Sequence, residues 1–342
     1  MTTRRIVFFE RWADPIAEEV LAREPGIELV RLPYDAKPEE VWRALEGAHG
    51  YQWPRAPYLG TRELIARCPN LLAMSAQGAG YDMIDPVACT EAGVLVVNQT
   101  GLGREAVAEH VVGMILSLAK QMIQSDRALR RDRNWERLQF TGDEISGKTI
   151  GIVGFGNIGT RLAEICRLAF NMNVLAFDPY LSAEEIAARG GTKTDFDTLL
   201  ASADFVSVNC PLTPETRDMF NQGSFAKMKP GAIFVTTARG GIHGETSLAQ
   251  FLTNGHLAGA GLDVWMEEPP PLSHPLLAFD NVVVTPHNAG VTKQAYRALA
   301  EGAALQWIEI LKGHRPPRLQ NPDVWPRYRE RYRAITGEAL AE

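Results

Sequence analysis

The segment Thr149-Ile-Gly-Ile-Val-Gly154-Phe-Gly156-Asn-Ile-Gly159 confines this chain to a narrow set of folds. Ile150, Ile152 and Val153 make an apolar, β-branched run suited to a strand buried on both faces. Three glycines at this spacing permit a tight turn, close approach of the backbone to a pyrophosphate, and close packing of helix on strand. A helix predicted from 159 to about 169 turns its first amides and positive dipole end toward that turn. A second strand, Val174-Leu-Ala-Phe, then ends in Asp178, an acid suited to a ribose 2′-hydroxyl. Strand, glycines, helix, strand and acid in one unit predict a dinucleotide site built on Gly154, Phe155, Gly156, Asn157, Ile158, Gly159 and Asp178. Asp178 repels a 2′-phosphate, Pro179 and Tyr180 supply no cation, and the next arginine, Arg189, is distant along the chain. NAD is therefore predicted over NADP.

The chain has 342 residues, which suggests about two domains. A net charge of −6 shows no basic footprint for nucleic acid or an anionic membrane. The four cysteines, Cys68, Cys89, Cys166 and Cys210, form no CxxC pair, so free thiols in a reducing cytoplasm are expected and a metal site is not. The first apolar run, at 6–9, reads as a strand rather than a signal peptide. No apolar stretch reaches the ~18 residues of a membrane span.

Strand-like and helix-like runs alternate throughout, which predicts α/β architecture with parallel sheets. Strands are predicted at 6–9, 27–31, 71–75 and 94–97, then at 205–209, 232–236, 257–263 and 282–285. Helices are predicted at 15–23, 38–45, 105–121 and 293–312. The helix at 105–121 is apolar on several sides and is expected at a domain or subunit junction. A charged arm follows it, at 125–135. The expected organisation is two Rossmann-like, doubly wound domains. An NAD-binding domain at 102–289 is inserted into a flavodoxin-like substrate domain at 1–101 and 290–325, with a C-terminal tail at 326–342.

Three ionisable residues fall at predicted strand ends: Arg239 in Thr-Thr-Ala-Arg239-Gly-Gly, Glu268 in Trp-Met-Glu-Glu268-Pro, and His287 in Thr-Pro-His287-Asn. Carboxyl ends of strands line the ligand crevice of open α/β sheets. Together these residues supply a guanidinium fork for a carboxylate, an imidazole for proton transfer and a carboxylate to orient it. Glu267 is the neighbour most easily mistaken for Glu268.

Several motifs in order resemble the D-isomer-specific 2-hydroxyacid dehydrogenases. They are Gln77-Gly-Ala-Gly-Tyr-Asp-Met-Ile-Asp85, Val107-Ala-Glu-His110, the glycine fingerprint, Cys210-Pro-Leu-Thr-Pro-Glu-Thr216, Arg239-Gly, Gly261-Leu-Asp263-Val with Glu268-Pro, and Thr285-Pro-His287. The resemblance covers residues 40–325. It implies interconversion of a D-2-hydroxy acid and its 2-keto acid by hydride transfer with NAD. It implies that Arg239 binds the substrate carboxylate, with His287 as general acid/base and Glu268 as its partner. It places backbone amides of Ala79 and Gly80 on the carboxylate and the side-chain pocket near Trp53 and Arg55. Cys210, Pro211, Thr216, Thr237, Ala238, Asp263, His287 and Gly290 are implied to line the cofactor, with Asp263 toward the nicotinamide amide. A homodimer through residues 105–121 and the arm is also implied.

Alternatives are an NAD(H)-sensing co-repressor-like protein and a formate- or phosphite-type dehydrogenase. Formate dehydrogenases carry glutamine where this chain has Glu268. His243 and Gly244 replace the apolar residue and acid usual after Arg239-Gly-Gly. His243 is read as structural or solvent-facing.

Overall fold

A computed structural model describes residues 3–10 and 12–340. The chain divides into two compact units, residues 1–103 with 292–342, and residues 104–291.

The first unit holds a five-stranded sheet of β1 (Arg4–Phe9), β2 (Ile27–Leu32), β3 (Gly50–Gln52), β4 (Ala73–Ser75) and β5 (Leu95–Val97). All are parallel, in the order β2-β1-β3-β4-β5. That is the flavodoxin-like order. Side chains on β1 alternate between two cores. Ile6 and Phe8 pack under the helices Ile16–Leu21 and Lys293–Leu311, whereas Val7 and Phe9 join Val41, Leu45 and Leu64 on the other face. Gly50 lets the Trp307 ring lie on β3, because a Cβ there would sit 2.5 Å from that ring. The Trp307 indole then donates to Gln52 Oε1 at 2.8 Å.

The segment expected as a C-terminal tail, 326–342, packs on this core over its described residues, 326–340. The helix Trp325–Thr336 buries Tyr328 and Tyr332, whose hydroxyls donate to the carbonyls of Ile310 and Leu311 at 3.1 Å. Arg331 on the same helix donates to the carbonyls of Leu71, Ala92, Cys68 and Pro69. The two tyrosines are four residues apart, and that spacing gives the helix its packing face.

The second unit holds seven parallel strands: β6 (Thr149–Val153), β7 (Asn173–Phe177), β8 (Thr192–Lys193), β9 (Phe205–Val208), β10 (Ala232–Thr236), β11 (Leu257–Leu262) and β12 (Val282–Val284). Their order is β12-β11-β10-β9-β6-β7-β8. The direction reverses between β6 and β9, which is the switch point where doubly wound sheets bind dinucleotides. The apolar helix Arg104–Ala119 buries Val111, Met114, Ile115 and Leu118 against β10, β11 and the helix Asn157–Phe170, so much of its apolar surface is used inside its own unit. It stops at Ala119, short of the predicted 121, because Gln121 adopts a left-handed backbone (φ 50°). A short helix, Met122–Arg127, and a largely exposed stretch carrying Leu129, Trp135 and Leu138 follow. No single helix among the described residues is long and apolar enough to cross a membrane.

Candidate active site

The glycine turn sits between β6 and the helix Asn157–Phe170. Gly154 has φ 88°, and a Cβ there would lie 2.6 Å from the Cys210 nitrogen at the end of β9. A Cβ on Gly159 would lie 2.3 Å from the Gly154 carbonyl, so this glycine allows the helix to close on the turn. Gly156 differs, since a Cβ would meet nothing within 4 Å. Gly156 is also the N-cap of a fourteen-residue helix and gives it no side-chain cap. Orphan amides facing an open glycine form a phosphate cradle. Two buried polar atoms nearby in the fold, Asn209 Oδ1 at the end of β9 and Thr237 Oγ1 at the end of β10, have no hydrogen-bond partner among the described residues. These features fit a dinucleotide.

Asp178, at the end of β7, accepts from the Phe155 amide at 2.9 Å and the Tyr180 amide at 3.0 Å. Its carboxylate therefore stands against the glycine turn, where a ribose would meet it. Arg189, remote in sequence, is brought to the same turn and donates to the Phe155 carbonyl at 3.1 Å. The helix Ala183–Ala188 folds back and delivers it. Cys210 is half-buried and its thiol is pushed up to about 11 by burial, which makes it an inert wall rather than a nucleophile. Thr216 Oγ1 donates to the Pro211 carbonyl at 2.7 Å and accepts from the Thr213 amide at 2.8 Å, which closes the 211–216 turn.

Arg239, Glu268 and His287 follow β10, β11 and β12, three adjacent strands, at their carboxyl ends. His287 Nδ1 lies 2.7 Å from Glu268 Oε2. Glu268 Oε1 accepts from the Trp265 amide at 3.1 Å, so the carboxylate is held at both oxygens. With Nδ1–H donating to Glu268, Nε2 is the nitrogen that exchanges a proton with a substrate. A Cβ on Gly240 would stand 2.0 Å from Trp265 backbone, so that glycine lets the Arg239 loop lie directly on the loop carrying Glu268. The Arg239 guanidinium donates to the Ala238 carbonyl at 2.7 Å. Glu267 makes no such pairing with His287.

Asp263 is buried within the site's scaffold rather than on its surface. Its Oδ1 accepts from Thr285 Oγ1 at 2.6 Å and the Asn288 amide at 2.8 Å, and its Oδ2 accepts from the Ala289 amide at 3.0 Å. These bonds fix the loop on both sides of His287, whose backbone is left-handed (φ 52°). His110 Nε2 lies 3.1 Å from Thr285 Oγ1 and extends the network. The Val-Ala-Glu-His110 motif was its sequence signal. Gly290 lies in the same loop, where a Cβ would meet only Val107, at 3.8 Å. His243, the other histidine near Arg239, is buried, and burial pushes its imidazole down to about 4. It packs on Phe234 and is structural.

The remaining predicted residues lie in the first unit. Ala79 and Gly80 occupy the turn after β4, where the carbonyls of Gly78 and Ala79 accept from the Gln99 amide and Asn98 Nδ2 at 2.8 and 2.7 Å. Trp53 follows β3 with a left-handed backbone (φ 55°), its amide donating to the Ser75 carbonyl.

A Rossmann sheet with an uncapped helix over an open glycine defines a dinucleotide-binding protein. Residues 112–289 match the model of the D-isomer specific 2-hydroxyacid dehydrogenase NAD binding domain. The chain is 40% identical over 267 residues to glyoxylate reductase of Thermofilum pendens, covering 77% of this chain and 78% of that protein. It is 39% identical over 303 residues to D-3-phosphoglycerate dehydrogenase of Archaeoglobus fulgidus, covering 88% of this chain and 57% of that one. D-lactate dehydrogenase of Aquifex aeolicus, solved with NAD and lactic acid, aligns with a TM-score of 0.77 at 27% identity, over 90% of this chain and 96% of that one. The chain belongs to the D-isomer-specific 2-hydroxyacid dehydrogenase family, and its residues 112–289 are that family's NAD-binding domain. It spans about half the length of the D-3-phosphoglycerate dehydrogenases it matches.

Proposed function

We propose that this chain is an NAD-dependent oxidoreductase that interconverts a D-2-hydroxy acid and its 2-keto acid. The observation that carries this reading is the 2.7 Å pairing of His287 with Glu268 at the carboxyl edge of a sheet whose glycine turn fits a dinucleotide. Gly154 to Gly159 and Asp178 hold NAD, with Cys210, Pro211, Thr216, Thr237, Ala238 and Gly290 around it. Bound NADH supplies the hydride for the keto carbon. His287 holds at Nε2 the proton destined for the keto oxygen and takes it back in the reverse direction. Glu268 fixes the ring's direction through Nδ1 and stabilises the imidazolium. Arg239 pairs with the substrate carboxylate and stabilises charge developing on the oxygen, and the amides of Ala79 and Gly80 add donors to that carboxylate. Asp263 acts on this chemistry by holding the His287 loop.

The acid–base pair separates this reading from formate-type oxidation, which moves no proton to its product. The exposed Leu129, Trp135 and Leu138 support a homodimer formed through the helix Arg104–Ala119 and the following arm. The free cysteines support a cytoplasmic setting.

The test is NADH oxidation against glyoxylate, hydroxypyruvate, pyruvate and phenylpyruvate, with formate and phosphite assayed in the oxidative direction. Turnover on a 2-keto acid is expected. Turnover confined to formate or phosphite would replace the proposed chemistry. Tight NADH binding with silence on every acid would move the chain to the NAD-sensing class.

A further inference from the structure

The first unit contains a cavity of about 260 Å³ that no step of the proposed chemistry uses. Its lining comes from residues at or just after the carboxyl ends of β2, β1, β3 and β4 in spatial order, together with the helix Lys293–Leu311. At about 4.8 Å between neighbouring strands, four strand ends span about 14 Å of sheet edge. Gln77 lines one end, and Gln77 opens the turn whose Ala79 and Gly80 amides we assign to the substrate carboxylate. Tyr34 lines the other end. A substrate anchored at the turn by its carboxylate has this cavity as the space for its side chain.

The walls are aromatic and apolar: Phe8, Phe9, Trp12, Trp53, Leu299 and Ala300. Arg55 is the one cation among the described lining residues. Its guanidinium lies 3.9 Å from the Tyr34 ring centroid and 5.3 Å from that of Phe9, and it joins no ion pair among the described residues. A guanidinium stacked on two rings is a flat, weakly hydrated surface that continues an aromatic wall. Trp53 stands at the cavity with the left-handed backbone already noted, a strained conformation for a bulky residue and one that gathers at ligand sites. An apolar cavity of about 150 Å³ is large enough for benzene, so this one holds an aromatic ring with room to spare. Glyoxylate has no side chain to place there, and the methyl of pyruvate would fill little of it.

We propose that the physiological substrate is a 2-keto or 2-hydroxy acid with an aromatic side chain, seated between Trp53, Arg55, Phe9 and Leu299. The inference rests on the oxidoreductase reading for its chemistry, though the cavity itself does not.

Two measurements on the full chain test it. The first compares kcat/KM for phenylpyruvate, pyruvate, glyoxylate and phosphohydroxypyruvate with NADH. Each well-placed methylene is worth about 10–200-fold, so phenylpyruvate is expected to exceed pyruvate by at least ~100-fold. Ala300→Phe is expected to cut that ratio by more than ~10-fold, and Leu299→Trp serves the same purpose if the first variant melts early. The second measurement is calorimetric titration of phenyllactate and lactate into the NADH complex, which needs no turnover. Phenyllactate is expected to bind at least ~10-fold tighter. Pyruvate or glyoxylate matching phenylpyruvate overturns the proposal, as does equal binding of the two hydroxy acids. Preference for phosphohydroxypyruvate that Arg55→Gln abolishes overturns it in favour of a second anion site. No turnover on any acid, with phenyllactate still bound tighter, leaves the cavity assignment standing and removes the oxidoreductase reading.

Discussion

On the proposed mechanism His287 and Glu268 make separable contributions, because Glu268 occupies Nδ1 and leaves Nε2 for the substrate. His287→Ala removes the proton donor, and general acid–base catalysis contributes about 10²–10⁴-fold, so kcat should fall by that order with NADH affinity within about twofold of wild type. Glu268→Gln leaves a side chain that still accepts from Nδ1–H at the 2.7 Å site but removes the charge. An intermediate loss in kcat, about 10–100-fold, with KM for the keto acid nearly unchanged, is expected. Steady-state kinetics paired with NADH fluorescence titration checks both. Equal turnover in His287→Ala would remove His287 from the chemistry. The pairing was legible in sequence as far as residue types at strand ends, and the choice of Glu268 over Glu267 follows the Glu-Pro motif. The inward role of Asp263 was not legible. A carboxylate with three donors from a loop more than twenty residues away depends on β11 and β12 being neighbours, which no local pattern states. Arg189 escaped for the same reason: distance along the chain hid its position on the glycine turn.

At the scale of the element, the glycine turn with its helix is the part most completely written in sequence. Spacing alone gave strand, turn, helix and acid, because each glycine answers a local steric demand. Gly154 and Gly159 are excluded from any larger residue by backbone within 2.6 Å and 2.3 Å, whereas Gly156 faces open space. That asymmetry yields a prediction. Gly156→Val should leave the melting temperature within a few degrees of wild type while weakening NADH by at least ~100-fold, since a Cβ there meets no protein atom within 4 Å and would enter the proposed phosphate cradle. A melt and an NADH titration on one preparation suffice. Retained affinity would show that the pyrophosphate lies elsewhere. The helix Trp325–Thr336 is the opposite case. Val324, Trp325, Tyr328 and Tyr332 make it a short amphipathic piece within the expected tail, but its sequence names no role for that face. Its two tyrosines and Arg331 find their partners only across more than fifteen residues of chain, in Ile310, Leu311, Leu71 and Ala92.

At the scale of the molecule, each unit has its own buried clusters among the described residues. Two flank the five-stranded sheet and two flank the seven-stranded sheet. Separate cores predict separate cooperative transitions in calorimetry, and two perturbations should act on the second unit's transition. NAD at a hundred times its dissociation constant stabilises the unit that binds it by about 2.7 kcal/mol and should raise that transition. Acid should lower it through His243. Burial pushes this imidazole down to about 4 in the folded unit, against about 6.5 in the unfolded chain. The unfolded state therefore holds the extra proton between those values. The stability contributed by neutral His243 is complete above pH 6.5 and falls by about 1.4 kcal/mol per pH unit as pH drops toward 4. His243→Phe, which removes the titrating group from a site already packed on Phe234, should flatten the pH 7 to pH 5 displacement of that transition and leave its response to NAD intact. A single transition that NAD and acid move as a whole would show that the two cores unfold as one.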